Sequence, residues 1–268
     1  KLGHHVSLIG NVGFDLDSDN IFRALNEYGV DTFGVKRCFN VNTGKAYILV
    51  EEGGDSMISI LAGANDIFTP DAIREKEHLF ENTGYCLIQS EIPLETVQEA
   101  CLAAHRHQVK TIFKPSACSY FPKELLSCVD IIIPNEDELK VLCPGKPSVE
   151  ERAETLMGYG IETVIITLGE RGCYVKTKEW EREFPAASFT SVDNTGASDA
   201  FISALASYLL YGYTLENAVR IATYAAGFCI SRKGVVPALI DKNSLESYIL
   251  QKEPELLHPS VTKLSLNG

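Results

Sequence analysis

From about residue 70 onwards, short apolar segments alternate with segments whose apolar residues recur at helical spacing. The former have the length of buried strands and the latter the length of ordinary helices. Such alternation is typical of an α/β fold, in which helices cover both faces of a parallel sheet. The predicted strands are 85–89, 110–113, 129–133 and 163–167, and the predicted helices are 94–107, 123–127, 136–142, 149–159, 215–231 and 242–250.

The first 65 residues have a different pattern. Residues 1–3 are typical of a helix end, 5–9 of a strand and 19–28 of a helix, and the segment GNVG at 10–13 follows the strand. Two apolar runs, 46–50 and 57–61, flank the turn sequence EEGGD and predict a β-hairpin. We expect residues 1–250 to form one domain, with a small β-sheet lid from strands within about 30–65. Residues 251–268 are polar and contain proline, which predicts a loosely held tail.

Composition excludes several classes of function. The net charge of −12 argues against a nucleic-acid-binding face. No apolar run is long enough to span a bilayer, so we expect no membrane partner. The eight cysteines contain no C-x-x-C pair and lie mostly in apolar segments. They predict buried reduced thiols in a cytoplasmic protein rather than disulfides or a zinc site.

The sequence VDNTGASDAF at 192–201 joins a predicted strand and its approach, 184–192, to a run with helical spacing. Free N–H groups and the dipole at a helix start make an anion site. Asp199, in the first turn, would repel a bound phosphate, which suggests a base for a hydroxyl that attacks phosphorus. An ordinary helix start also fits these residues, with Asp199 favouring the dipole and Gly196 allowing the turn.

Four further segments lie near the ends of predicted elements, where open α/β sheets bind ligands. They are QSEIP at 89–93, PNEDE at 134–138, TLGERG at 167–172 and SRKG at 231–234. Each has a purely structural alternative: Ser90 and Asn135 suit helix caps, two glycines suit a turn between strands, and Gly234 suits a helix stop. Neither the Walker A motif nor the dinucleotide fingerprint G-x-G-x-x-G is present.

In this order the segments resemble the signatures of the ribokinase-like, or PfkB, carbohydrate kinases, over residues 1 to about 250. TGASD at 195–199 resembles the second signature of the family, NEDE its N-x-x-E motif, and TLGERG its nucleotide-binding turn. Segments 87–95 and 230–234 are most similar to ribokinases. The resemblance implies a three-layer α/β/α fold with a mostly parallel central sheet and a small β-sheet lid.

The resemblance also implies roles for individual residues. Asp199 would be the general base and would contact the acceptor, and the N–H groups of Gly196, Ala197 and Ser198 would form the anion hole. The implied cofactors are ATP, Mg²⁺ and potassium. The remaining implied residues are Asn135, Glu138, Thr167, Gly169, Gly172 and Thr223 for the nucleotide, Glu138 also for Mg²⁺ through water, Glu91 for the acceptor sugar, and Asp193, Thr195 and Gly234 for a monovalent cation.

Two departures from the family matter. Ser198 stands where the family usually has glycine. A helix start has negative φ, which serine adopts while keeping its N–H, so we expect activity to be retained. The sequence also begins after the point at which the family has its N-terminal strand, with a sugar-binding acid, and its Gly-Gly signature. We therefore expect the acceptor pocket to be incomplete in this chain. The sequence does not determine which sugar or nucleoside is the acceptor.

The predicted function is ATP-dependent transfer of the γ-phosphoryl group to a hydroxymethyl of a sugar, with ribose as the first candidate. A nucleoside or another furanose is the nearest alternative, because FKPSA at 113–117 departs from the usual ribokinase sequence. A catalytically weak sugar- or nucleotide-binding homologue is a second alternative. A nicotinamide oxidoreductase is disfavoured by the missing fingerprint. Lid strands in the family often pair between subunits, so the apolar run 46–50 suits either a homodimer or a cover for the active site.

Overall fold

The computed structural model describes residues 1–50, 56–116 and 120–258, with only the backbone for 48–50 and 56–58. The chain divides into two compact units. The N-terminal unit is His5–Val129, and the C-terminal unit combines Lys1–His4 with Asp130–Gly268. Each unit is described by itself below.

The N-terminal unit begins with a β-α-β arrangement. Strand β1 (Ser7–Gly13), helix α1 (Leu16–Glu27) and strand β2 (Asp31–Cys38) follow one another, and the two strands pair in parallel. The strand predicted at 5–9 extends further, because residues 10–13 continue β1 and pair with β2 up to the Gly13–Cys38 partners. Helix α1 starts earlier than predicted because the Asp15 side chain caps it by accepting from Ser18 N. Residues 1–3, which belong to the C-terminal unit, are not helical, and Gly3 has the positive φ of 90° that a glycine at a helix end adopts.

The predicted hairpin is present. Strands β3 (Lys45–Val50) and β4 (Ser56–Leu61) pair antiparallel in a two-stranded sheet, and the predicted turn lies outside the described residues. A short helix, α2 (Pro70–Arg74), follows them.

The rest of the N-terminal unit is a second parallel pair. Strand β5 (Tyr85–Gln89), helix α3 (Leu94–Arg106), strand β6 (Lys110–Lys114) and the short helix α4 (Lys123–Leu126) agree closely with the predicted bounds. Helix α3 packs on both strands and buries Val97, Cys101 and Ala104, which share one face. The register joins Gln89 to Lys114, so the two strands end side by side.

The C-terminal unit contains the remaining strands. They are β7 (Ile131–Ile132), β8 (Thr163–Thr167), β9 (Cys173–Thr177) and β10 (Glu181–Phe184), with helices α5 (Glu136–Leu142) and α6 (Val149–Met157) between β7 and β8. Strands β7 and β8 pair in parallel, whereas β9 pairs antiparallel with both β8 and β10. Residues 164–166 are fully buried, as expected of a strand covered on both faces.

Three helices complete this unit: α7 (Ala197–Leu210), α8 (Leu215–Ile230) and α9 (Lys242–Lys252). Helices α7 and α8 pack on each other and bury most of their residues. The strand predicted at 184–192 is wrong. Strand β10 ends at Phe184, because Pro185 has no N–H for a ladder, and Val192 N donates instead to Ile230 O at 2.7 Å.

Two observations concern the whole of the described chain. No helix within 1–50, 56–116 and 120–258 is long and apolar enough to cross a membrane. The cysteines of those ranges are free thiols, and Cys118 lies outside them.

Near the C-terminal end, a 3-10 turn at Pro254–Leu257 buries Leu256, and residues 259–268 of the predicted tail are not described.

Candidate active site

Gly196 sets the geometry at the start of α7. It is the N-cap, with φ of 84° and ψ of 0°, a left-handed conformation that favours glycine. A Cβ at this position would lie 2.9 Å from Val235 Cγ1 and 3.3 Å from Cys229 Sγ. The glycine is therefore required both for the turn and for close packing, and the helix begins directly after it.

The two residues that follow agree with the sequence prediction for a helix start. Ser198 is helical and half-buried, so the serine keeps a conformation it adopts readily. Ala197 N donates to Asn194 O at 3.3 Å, which is a long and therefore weak hydrogen bond. Asp199 is exposed in the first turn. First-turn N–H groups have no intrahelical acceptor, so this turn presents donors and a carboxylate together.

Asp193 joins the loop before α7 to the loop after α8. Its Oδ1 accepts from Thr195 N at 3.0 Å and its Oδ2 accepts from Gly234 N at 3.3 Å. Hydrogen bonds from Thr195, and then from Gly234, lower the pKa of Asp193 and keep it charged. The three residues predicted for a monovalent cation are therefore brought together by one carboxylate.

Cys229 is a neighbour of this loop that sequence reasoning missed. Its buried Sγ donates to Thr195 O at 3.5 Å, and it packs beside Gly196. Burial raises the pKa of Cys229, and the charges of Asp199 and Asp193 add to the effect. The thiol is thus a neutral packing group behind the loop. Its only sequence signal was a position on the apolar face of a predicted helix.

Asn135 and Glu138 form a capping box at the start of α5. Asn135 Oδ1 accepts from Glu138 N, and Glu138 Oε2 accepts from Asn135 N, both at 2.8 Å. The structural alternative for Asn135 is therefore correct, and it fixes both side chains. Thr167 N donates to Pro134 O at 2.9 Å, and Asn135 forms a parallel bridge with Thr167. Two segments predicted to contact the nucleotide thus lie side by side at the carboxyl ends of β7 and β8.

The turn 167–172 joins β8 to β9. Leu168 N donates to Gly172 O at 2.8 Å, and Gly169–Arg171 is a single 3-10 turn between them. Gly172 has φ of 92°, and a Cβ there would lie 1.9 Å from Phe184 O, so its role in the turn is structural. Gly169 has φ of 59° with open space around it, which leaves its backbone accessible.

Thr223 is buried on α8, and its hydroxyl donates to Arg220 O at 2.7 Å within the helix. This bond satisfies the hydroxyl without a ligand. The implied role of Thr223 at the nucleotide site stays a prediction.

Glu91 lies in the N-terminal unit, just after β5. Ser116 Oγ donates to Glu91 Oε1 at 2.6 Å, whereas Glu91 Oε2 is buried without a hydrogen-bond partner in the described chain. Ser90 Oγ accepts from Ser116 N and donates to Ser116 O, each at 2.6 Å. The alternative that Ser90 caps the next helix is wrong, because the N-cap of α3 is Pro93. Ser116 had no assigned role in the sequence prediction.

A cavity of about 530 Å³ opens elsewhere in the N-terminal unit. It is lined by Asp17, Asn20, Ile21, Thr43, Gly44, Lys45, Ala46 and Tyr47. It contains none of the residues predicted from the sequence, and no group of three His, Cys, Asp or Glu residues within 1–50, 56–116 and 120–258 is placed to hold a metal ion.

A family model described as pfkB family carbohydrate kinase matches residues 1–242. The chain belongs to this family. It is therefore a carbohydrate kinase, a phosphotransferase, and the resemblance seen in the sequence is confirmed.

Curated relatives of this pfkB-family kinase include both ribokinases and deoxyribokinases. The ribokinase of Staphylococcus aureus is 30% identical over 247 residues, which cover 89% of this chain and 81% of the relative. The ribokinase of Schizosaccharomyces pombe is 31% identical, with coverage of 88% and 78%. The deoxyribokinase of Salmonella typhi is 29% identical, with coverage of 94% and 84%. Because the ribokinases and the deoxyribokinase are almost equally identical to this chain, sequence identity does not indicate which sugar is the acceptor.

Solved structures similar to this kinase confirm the α/β ribokinase-like fold, with its mostly parallel central sheet and small antiparallel sheet. The ribokinase of Thermotoga maritima has a TM-score of 0.83 at 28% identity and covers 91% of this chain and 80% of its own. A structure of Arabidopsis thaliana ribokinase complexed with ribose and ATP has a TM-score of 0.84 at 28% identity, with coverage of 90% and 80%.

Proposed function

We propose that this kinase transfers the γ-phosphoryl group of ATP to a hydroxymethyl of a furanose sugar, with ribose as the first candidate. The observation that carries the proposal is the left-handed Gly196 before α7, with Asp199 in the first turn of the helix. The Arabidopsis thaliana ribokinase similar to this chain was solved with ribose and ATP, which supports this pair of substrates.

Charge stabilisation in the reaction is assigned to the start of α7. Phosphoryl transfer needs positioning and electrostatic stabilisation more than covalent participation of the protein. The N–H groups of Gly196, Ala197 and Ser198 are fixed in place by the turn, so they need no reorganisation as charge develops on the phosphoryl oxygens. The helix dipole adds to their effect.

Asp199 is the proposed general base. As the hydroxymethyl oxygen forms its bond to the γ-phosphorus, the Asp199 carboxylate takes the proton, and the bond between phosphorus and the bridging oxygen of ADP breaks. A carboxylate close to donors for phosphate is poorly explained by ground-state binding, since it repels the phosphate. It is well explained by the need to remove a proton from the attacking hydroxyl.

The nucleotide is assigned to the carboxyl ends of β7 and β8. The capping box orients Asn135 and Glu138, and Thr167 lies beside Asn135. The open backbone at Gly169 allows close approach of a ligand. Gly172 supports the turn, and Thr223 is assigned to the same site on the family resemblance alone. Mg²⁺, when bound, neutralises charge on the phosphates, and the oriented carboxylate of Glu138 suits such a hard cation through a water ligand.

The potassium expected from the family resemblance is assigned to Asp193, Thr195 and Gly234. The chemistry of Asp193 suits a cation, because N–H groups from two loops hold it as a carboxylate. Asp193 holds the loop that ends at Gly196, so a cation there would act on the shape of the anion hole rather than on the reacting atoms.

The test is ADP release by the full chain with ATP, Mg²⁺ and K⁺, across ribose, 2-deoxyribose, other furanoses and nucleosides. We expect release with a furanose and a loss of about 10²–10⁴-fold in kcat for Asp199→Asn. Glu216→Gln is the matched control, because Glu216 is a first-turn acid of α8 outside the site. Equal kcat in Asp199→Asn and the wild type would refute the assignment of the base.

Two alternatives stay open and the same assay separates them. Release with nucleosides only would favour a nucleoside kinase, an alternative motivated by the departure at 113–117, where Lys114 is buried at the end of β6. ATP binding without ADP release would favour a weakly active binding homologue.

A homodimer through the lid strands also stays a proposal, which the exposed Ile60 and Leu61 of β4 suit. A cytoplasmic location stays a prediction.

A further inference from the structure

Glu91 has one carboxylate oxygen that the described chain leaves unsatisfied. Oε1 accepts from Ser116, but Oε2 is buried without a hydrogen-bond partner. A buried acceptor without a donor destabilises the folded state, and more so when the group is charged. Such a cost in a folded protein requires an explanation, and a ligand that supplies the missing donor is one.

Ser116 reaches Glu91 because of the strand register. Strands β5 and β6 are parallel, with Gln89 paired to Lys114, so the residues that follow them leave the sheet side by side. Ser116 Oγ then lies 2.6 Å from Glu91 Oε1, across 25 residues of sequence. The bond limits rotation of the carboxylate and therefore decides where Oε2 lies.

Ser116 is itself held through both of its backbone polar groups. The buried Ser90 Oγ accepts from Ser116 N and donates to Ser116 O, so one side chain fixes both backbone groups of Ser116. The three residues form a chain of support in which Ser90 holds Ser116, and Ser116 holds Glu91. Supports of this kind are needed where the position of a reactive or binding group must be kept within a fraction of an ångström.

We propose that Ser116 is a positioning residue for substrate binding: it fixes Oε1 of Glu91 and so holds Oε2 to accept a hydrogen bond from a hydroxyl of the acceptor sugar. The inference rests on the proposed function, in which Glu91 contacts the acceptor. It adds the residue that orients Glu91 and the chemistry of the contact, which is a hydroxyl donor on the ligand rather than a charged group.

The contact predicts a specific kind of selectivity. A site built to bind a hydroxyl rejects an analogue that lacks it, because the buried acceptor then stays unpaired. The acceptor that lacks the contacted hydroxyl should therefore bind less well than its hydroxylated counterpart. When the carboxylate is free to turn, the penalty for the deoxy analogue falls, because Oε2 can reach water instead.

The experiment measures kcat and KM for ATP, ribose and 2-deoxyribose, with other deoxy-riboses added to find the contacted hydroxyl. We expect Ser116→Ala to raise the KM for the preferred sugar by about 10-fold, which is the loss of about one hydrogen bond. The KM for ATP should not change, kcat should stay within about 3-fold, and the ratio of kcat/KM for the sugar to that for the deoxy analogue should fall. Ser116→Thr keeps a hydroxyl and should restore that ratio.

Ser127→Ala is the matched control, since the Ser127 hydroxyl bonds Glu124 O on the surface of the same unit. A merely structural role for Ser116 would change the KM of both substrates and kcat together, or would lower thermal stability with no change in the sugar ratio. Either result would overturn the proposal. So would a Ser116→Ala variant with wild-type kinetics.

The proposed function and this inference fail separately. If the wild type releases no ADP with any acceptor, the kinase proposal for this sugar class fails, and calorimetric binding of ribose and 2-deoxyribose then tests Ser116 directly. Weaker binding of the preferred sugar to Ser116→Ala supports the inference. Equal binding to variant and wild type, or no binding of either sugar to the wild type, overturns it.

Discussion

Ser198 occupies the second position of α7, two residues after the left-handed Gly196. At this position the backbone is helical, so a side chain imposes no backbone strain, unlike at the preceding glycine. What remains is the space that Cβ and the hydroxyl occupy near the proposed anion hole. Replacing Ser198 therefore has two effects, one on the stability of the helix and one on catalysis. Unfolding and kinetic experiments on the variants measure these effects independently.

We expect Ser198→Gly to change kcat by less than about 3-fold and to lower the free energy of unfolding by about 0.5 kcal/mol, because glycine is the poorer helix former. Steady-state kinetics and urea unfolding measure the two effects. Ser203→Gly, further along α7, is the control for the loss of helix stability alone. A kcat at least 10-fold higher in Ser198→Gly would contradict the expectation and show that the serine crowds the phosphoryl group.

At the scale of elements, sequence patterns predicted what is decided locally. The bounds of β5, α5 and β8 agree with the prediction residue for residue, because each has a regular apolar period and a clear start signal. The failure at 184–192 has a distant cause: Ile230 O accepts from Val192 N and Asp193 N, a contact that no local pattern contains. Apolar content there was mistaken for strand periodicity.

The same limit holds for the candidate site: its local features were predictable from the sequence, and its long-range contacts were not. The motifs that carry Asn135 and Asp199 are contiguous, so their positions at helix starts followed from capping rules. The partner of Glu91 was not predictable, because Ser116 reaches it only through the register of β5 on β6. Likewise Cys229 contacts Thr195 only because α8 returns to the loop before α7.

The turn between β8 and β9 gives a prediction at the element scale. Gly172→Ala should lower the free energy of unfolding by about 2 kcal/mol or more, because the residue has positive φ and its Cβ would collide with Phe184 O. Gly169→Ala, in the same turn, has positive φ but open space, and should cost about 1 kcal/mol. Urea unfolding of both variants measures the difference.

The comparison of the two glycines isolates the collision from the conformational cost. Equal losses of stability would mean that the strand next to Gly172 moves freely, and the structural role assigned to Gly172 would be wrong. A further readout is the affinity for ATP. Relative to the stability that each variant loses, we expect Gly169→Ala to weaken ATP binding more than Gly172→Ala does, since the backbone of Gly169 is the accessible one.

At the scale of the molecule, the division after Val129 has no signal in the sequence. Domain boundaries usually fall in exposed linkers rich in proline, glycine or polar residues. Here Val129 and Asp130 are both buried, and the apolar pattern runs through them without a break. The two units are therefore a property of the tertiary contacts, which composition does not report.

Acid stability is also a property of the whole chain, because lowered carboxyl pKa values occur in both units. They belong to Asp15, Glu77, Glu150, Glu181, Asp193, Asp241 and Glu253. A carboxyl whose pKa is lower in the folded state binds protons more readily when unfolded, so stability falls as the pH falls. The net charge of −12 acts in the opposite direction near neutral pH, but 0.15 M salt screens it beyond about 8 Å.

Glu253 provides the sharpest test of this balance. It bonds Arg220 through both carboxylate oxygens and accepts from Tyr224 at 2.7 Å, which joins the end of α9 to α8. The bond from Arg220 is the largest cause that lowers the pKa of Glu253 below its ordinary 4.5. The stabilisation is therefore complete above about pH 4.5 and is lost as the pH falls through the lower, folded-state pKa.

We expect Glu253→Gln to lower the free energy of unfolding by about 1–2 kcal/mol at pH 7, since the pair is partly buried and charged. The gap between wild type and variant should narrow steadily from pH 5 to pH 3, as protonation removes the charge that the variant already lacks. Urea unfolding across this range in 0.15 M salt measures it, with Glu216→Gln as the exposed ion-pair control. A gap that stays constant or widens in acid would mean that Glu253 stabilises the fold through packing and neutral hydrogen bonds rather than through its charge.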